Sequence, residues 1–378
     1  MGFHAYSSPY DWSRIAGYKA VAKAAEGGMV DLSVGSPVDP TPASVREALC
    51  AAADAPDAHG YPVTAGSTEL QRAMHDWFRD LRGVDLREVN AAVVPTVGSK
   101  EGVALMASLL HLGPGDVVVQ PKVSYPTYEI GTQLAGATVL KVDDVADVDS
   151  WRCVPNVKAV WVNSPCNPSG EVLDADWMAG IVAAARAIGA TVLSDECYAL
   201  MDWRPTGEGP LSASPCMLDP RVCEGRADGV LVLYSLSKQS NMAGYRTAFV
   251  AGDYRLVTRM AEYRKQIGQI IPGPVQAAMA AGLRDVDAVR EQRERYHARL
   301  RRLTDALRAY GYDASMPGGA LYVWVKAKSG DCWKDMAVLA ESGIIASPGE
   351  FYGAPDHLRL SATASDALID AACERLTR

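Results

Sequence analysis

Residues 230–246 read VLVLYSLSKQSNMAGYR. The run from Val230 to Tyr234 is apolar without polar alternation, then gives way to Ser235, Ser237, Lys238 and, further on, Arg246. An unbroken apolar run bounded by small polar residues describes a strand buried on both faces, as in a mainly parallel sheet. An amine at the end of such a strand is costly unless something consumes its charge. The stretch therefore sets the fold class and poses a chemical question together.

Working outward, the same pattern recurs. Residues 91–95, 116–120, 138–142, 157–162, 190–194 and 247–251 are further strand candidates, with helix-like stretches at 100–112 and 177–188 between them. That rhythm predicts βαβ units and an α/β fold with a mainly parallel seven-stranded sheet. The ends differ. Residues 1–45 are rich in turns around GSPVDPTP (35–42), and beyond about 275 the sequence predicts one long helix followed by a mixed region. We expect a large domain over 46–274 and a smaller α+β domain built from 1–45 and 275–378. In the long helix Tyr296, Leu300, Leu303, Leu307 and Tyr310 keep the spacing of one buried stripe. Its arginines (290, 293, 295, 299, 301, 302) are interleaved with acids, which predicts a solvated face rather than a nucleic-acid surface.

Composition narrows the function classes. The chain has 378 residues, 48 % hydrophobic and 22 % charged, with a net charge of −8, which disfavours a general polyanion binder. The first residues lack a basic start followed by an apolar core, and no run reaches membrane-spanning length. Eight cysteines without C-x-x-C spacing and six scattered histidines suggest reduced thiols, a cytoplasmic setting and no protein-bound metal. No strand is followed by G-x-G-x-x-G, which argues against a nicotinamide oxidoreductase, and GTQLAGAT (131–138) has P-loop spacing without its lysine.

Ligands of α/β sheets gather at the carboxyl ends of the strands. There the sequence places Gly98-Ser99-Lys100, Tyr125 with Tyr128, Asn167 in NPSG, Asp195 and Tyr198 in DECY, and the group Ser235, Ser237, Lys238 and Arg246. Each has a plain structural alternative: a helix N-cap, a proline turn with a packed tyrosine, an Asn-Pro turn, a capping carboxylate. Read together they offer phosphate donors, one carboxylate, two groups able to bond a phenolate oxygen, and one amine. Those are the demands of pyridoxal 5′-phosphate (PLP).

With NPSG, DECY and SLSK…GYR in that order along the chain, it resembles the fold type I PLP-dependent aminotransferases of class I/II, from LSVGSP (32–37) to HLRLS (357–361). The resemblance implies a homodimer with shared active sites and the following roles. Lys238 carries the cofactor aldehyde, Asp195 pairs with the ring nitrogen, and Asn167 and Tyr198 bond the ring oxygen. Tyr125 stacks on the ring, with Tyr128 an alternative. Ser99, Lys100 through its backbone N–H, Ser235, Ser237 and Arg246 hold the phosphate, with Tyr61 reaching in from the neighbouring subunit. Arg359 forks onto the substrate carboxylate and Gly35 lies beside it.

A narrower resemblance, carried by MVDLSVGSPVDPTP, YPVTAGSTELQRAM, SYPTYEIGTQLAGA and NSPCNPSGEVL, is to actinobacterial-type N-succinyldiaminopimelate aminotransferases of lysine and diaminopimelate biosynthesis. It implies glutamate and 2-oxoglutarate as one substrate pair. Arg14, Lys19, Arg264 and Lys265 are possible binders of a distal carboxylate or simply surface charges. An aspartate, aromatic or alanine aminotransferase, or a PLP β-lyase, would share every catalytic residue named, and a PLP-sensing regulator is disfavoured by the acidic balance.

Overall fold

A computed structural model describes residue 8, residues 10–204, residue 211 and residues 213–378. The opening residues read above for a targeting signal lie outside that set, as does part of the expected 1–45 segment. In chain order the strands are β1 (Val30–Asp31), β2 (Ala91–Val97), β3 (Val117–Pro121), β4 (Thr138–Val142), β5 (Val157–Asn163), β6 (Thr191–Asp195), β7 (Val230–Ser235), β8 (Thr247–Asp253), β9 (Tyr322–Lys326), β10 (Ile344–Ile345), β11 (Ser347–Pro348) and β12 (His357–Ser361). Seven of them form the large sheet in the order β2-β8-β7-β6-β5-β3-β4. Pairing is parallel from β7 through β6, β5 and β3 to β4, while β8 runs antiparallel to both β2 and β7. The α/β class and the mainly parallel seven-stranded sheet read from the sequence are what the chain adopts.

The apolar runs explain the order. β7 and β8 are buried at every position and sit inside the sheet, whereas β4, with exposed Thr138 and Lys141, forms an edge. Helices cover both faces, with one core around Trp77, Phe78, Val232 and Phe249 and another around Met106, Tyr128, Trp161 and Leu193. A third core, apart from these, joins Ile15, Val30 and Leu32 to Leu300, Leu303, Val323, Ile344 and Leu358. There β1 pairs in parallel with β10, and β11, β12 and β9 make a small antiparallel sheet.

Two expectations need correction. The long helix beyond 275 is two helices, Gly273–Arg284 and Val286–Ala309. Asp285 leaves helical geometry between them, accepts from the Ala288 N–H at 3.1 Å, and bonds Ser44 Oγ, so a side-chain cap competes with helix continuation. Nor is every arginine of the second helix solvated. Arg299 is 1 % exposed and bridges Asp39 at 2.7 Å and Asp366 at 2.9 Å, while Arg293 lies over the Trp203 ring. Leu300, Leu303 and Leu307 keep the expected buried stripe.

Candidate active site

The carboxyl ends of β5, β6 and β7 open into a cavity of about 430 Å³ at the meeting of the large and small sheets. Gly35, Ser99, Lys100, Tyr125, Asn167, Asp195, Tyr198, Ser235, Ser237, Lys238, Arg246 and Arg359 all line it. Tyr61 does not; its ring stands fully exposed in the segment before the helix Thr68–Arg82.

Asp195 ends β6 and is buried. One carboxylate oxygen accepts from the Tyr128 hydroxyl at 2.7 Å, and the other accepts from the Cys197 N–H at 3.1 Å. Burial pushes its proton affinity up, and those two donors oppose the rise. Tyr128 is thereby spent: it stacks on Trp161 at 4.5 Å and supports the acid, leaving Tyr125 as the tyrosine of the pair that lines the cavity.

Lys238 sits in the short helix Leu236–Gln239 that follows β7 directly. Its ammonium nitrogen donates to the Gly35 carbonyl and has no carboxylate partner among the described residues. Burial drives its pKa down, and the charges of Arg359 and Arg246 add to that.

The helix Ser99–Leu109 points its free N–H groups at the cavity from an N-cap glycine, Gly98, at φ 80°. A Cβ on Gly98 would lie 2.2 Å from the Arg246 guanidinium, so only glycine lets that arginine reach the helix start. Ser235 and Ser237 share a hydroxyl bond of 2.8 Å beside it.

Across the cavity Arg359, on β12, is 4 % exposed. Its guanidinium lies between the faces of Tyr322 at 4.0 Å and Tyr352 at 4.6 Å, donates to Asn167 Oδ1 at 2.7 Å and to the Ser33 carbonyl at 2.8 Å, and leaves Nε without a partner. Tyr198 and Tyr322 share a hydroxyl bond of 2.6 Å.

The sequence reading missed Tyr10, Trp12, Cys197, Tyr322 and Tyr352, which also line the cavity. They come from distant segments and carry no local motif; only DECY contained one of them. The suggested distal cations are elsewhere. Arg14 pairs with Glu350, Lys19 with Asp31, and Arg264 is buried against Glu101; Lys265 is not at the cavity either. The side chain at the cavity is that of Lys100, for which only a backbone role was expected; it lies over the Tyr10 ring at 5.7 Å.

Four basic side chains, Lys100, Lys238, Arg246 and Arg359, thus face one carboxylate, Asp195, and none of the five makes an ion pair among the described residues. Asp195 and Arg359 are buried and Lys238 partly so, while Lys100 and Arg246 are exposed; buried charge without a protein partner calls for charge from outside. A ligand carrying a phosphate, a carboxylate and a cationic ring nitrogen would complete every one of them.

The chain matches the model of the aminotransferase class I and II family over residues 27–376, and it belongs to that family. It is an aminotransferase, and the cofactor of the family is PLP, which the unpaired charges of the cavity fit. Among relatives, it is 41 % identical over 370 residues to the 4-dedimethylamino-4-oxo-anhydrotetracycline transaminase of Streptomyces rimosus, covering 97 % of this chain and 98 % of that one. It is also 41 % identical over 371 residues to a "Probable aminotransferase" of Mycobacterium tuberculosis, covering 97 % and 85 %. Among solved structures, an aspartate aminotransferase variant of Thermus thermophilus superposes with a TM-score of 0.83 at 26 % identity over the whole of both chains. A "probable N-succinyldiaminopimelate aminotransferase" of the same organism gives 0.84 at 25 % identity, covering 97 % and 99 %.

Proposed function

We propose that the protein transfers the amino group of glutamate to N-succinyl-2-amino-6-oxopimelate, at a site in which the residues named above take the roles the family resemblance implies. The observation that carries the reading is the excess of unpaired basic side chains in the cavity. Arg246, Ser99, Ser235, Ser237 and the start of the helix Ser99–Leu109 take the phosphate. Arg359 takes the α-carboxylate as a planar fork, and Lys100 is left over for a further carboxylate on the substrate side chain. Glutamate and the succinylated keto acid both carry such extra carboxylates.

When bound, PLP supplies an electron sink for the substrate Cα–H bond. Asp195, its carboxylate accepting from Tyr128 and the Cys197 N–H, would hold a proton on the ring nitrogen. Tyr198 and the Asn167 amide group, whose oxygen is already taken by Arg359, donate to the ring oxygen. Lys238, its proton affinity lowered by burial, would accept the Cα proton and return it on the other side of the transfer. Tyr125 covers the ring and excludes water.

Tyr61 completes the reading as a residue of a homodimer. A fully exposed tyrosine, two residues before an exposed Val63, suits a partner's cavity. The reading also divides the chain at 45/46 and 274/275. The separate core joining both ends supports it, although the helix Gly273–Arg284 shares the core of the large sheet.

A second acceptor class, a ketone on a polycyclic skeleton, is favoured by the aromatic wall of Tyr10, Trp12, Tyr125, Tyr322 and Tyr352 together with the likeness to the Streptomyces rimosus transaminase. The test is the visible band of the purified holoenzyme. Glutamate should bleach it, the succinylated keto acid should restore it, and Lys238→Ala should do neither. Restoration by a polycyclic ketone or by pyruvate, with the succinylated acid inert, would reject the assigned acceptor.

A further inference from the structure

Tyr322 is 1 % exposed, begins β9 and touches three parts of the cavity at once. Its hydroxyl bonds that of Tyr198 at 2.6 Å. Its ring face carries the Arg359 guanidinium at 4.0 Å. It also lies against Gly35, where an added Cβ would fall 2.2 Å from the Tyr322 oxygen, and the Gly35 carbonyl in turn receives the Lys238 amine. The side chain therefore stands between the groups read as binding the ring oxygen and the group read as binding the substrate carboxylate.

The direction of the hydroxyl pair decides what it does. A phenol has one proton to give. If Tyr198 gave its proton to Tyr322, it could only accept from the ring oxygen of the cofactor, which as a phenolate has nothing to donate. The reverse arrangement satisfies both: Tyr322 donates to Tyr198, and Tyr198 is left to donate onward. A hydroxyl that accepts one hydrogen bond becomes a stronger donor in the next. Phenylalanine at 322 would keep the ring and remove only this bond.

We infer that Tyr322 is a positioning residue with two separable parts: its hydroxyl commits the Tyr198 proton to the ring oxygen of the cofactor, and its ring face fixes the Arg359 fork for the substrate carboxylate. The inference rests on the reading of Tyr198 given above. The other titratable or charged groups packed around the pair are Cys197, Lys238, Tyr296, Tyr352 and Arg359, and none of them is changed by the substitutions below.

The test uses the holoenzyme and two readouts: the midpoint pH of the change in its visible band, and KM against kcat for glutamate. Tyr322→Phe should raise the midpoint by about 0.5 to 1 pH unit, the size of one lost hydrogen bond, with KM unchanged within about twofold. Tyr322→Leu, which also loses the ring, should raise the midpoint similarly and raise KM for glutamate about tenfold or more. In a Tyr198→Phe background, adding Tyr322→Phe should move the midpoint no further. The inference is overturned if Tyr198→Phe moves the midpoint and Tyr322→Phe does not, or if the two shifts simply add. If Tyr198→Phe itself leaves the midpoint in place, the reading of Tyr198 falls, and the inference with it.

Discussion

Lys238 is a residue whose folded setting opposes its charge. Burial holds its pKa below the ordinary 10.5, so between the two values the unfolded chain binds the extra proton. Stability of the cofactor-free protein should therefore rise with pH through that window, and the penalty should be complete below it. Lys238→Met is expected to stabilise the cofactor-free protein at neutral and acid pH, with the gain shrinking as pH approaches 10.5. Urea unfolding at several pH values checks this; a gain independent of pH would mean that packing, not charge, is responsible. The same variant should be inactive, so the residue trades stability for chemistry. Lys238 and Asp195 could be expected at the cavity because each sits at a strand end, whereas Arg359, in the middle of β12, was expected there only from the family resemblance. Tyr322 was not: its partners Tyr198, Gly35 and Arg359 come from three other segments, and only the fold brings them together. Nor could sequence show that the Lys100 side chain, rather than its backbone alone, reaches the cavity.

At the scale of elements, two joints carry the cavity. The first is the turn from β2 into the helix Ser99–Leu109. Gly98→Ala puts a Cβ both at positive φ and against Arg246. We expect a loss of PLP affinity of about tenfold or more and a destabilisation of roughly 1–2 kcal/mol. Cofactor titration against fluorescence measures the first and urea unfolding the second; full affinity in this variant would remove Arg246 from the phosphate site. The second joint ties the end of the helix Thr68–Arg82 to the end of β6, where Arg82 meets Glu196 at 2.8 Å with both side chains fully buried. Glu196 is the residue after Asp195, so this pair anchors the strand end that presents the acid. Arg82→Met alone should cost about 3–5 kcal/mol, and Arg82→Met with Glu196→Gln should recover much of it. Equal losses in the single and double variants would show that the pair is not coupled. The apolar runs made the seven strands of the large sheet legible to within a residue or two, but not the five described outside it. The break at Asp285 was hidden because helix periodicity resumes after it, and the burial of Arg299 because its partners, Asp39 and Asp366, lie far away in sequence.

For the whole molecule, the open question is the exposed Tyr61. If it completes a partner's cavity, mixing Lys238→Ala protein with Tyr61→Phe protein after reversible dissociation gives mixed dimers with one intact site each. Two weakly active or inactive samples should then recover about a quarter of wild-type activity, as two-fold symmetry and random exchange require. No recovery, with exchange verified by mass, would place Tyr61 outside the partner's site. The pairing of β1 with β10 has a different consequence. On the ribosome, Val30 and Leu32 emerge early but find their cover only when Ile344 and Ile345 have been synthesised. The nascent chain must carry that apolar segment bare through most of translation, which makes it a natural handle for chaperones and the place where arrested synthesis would start aggregation.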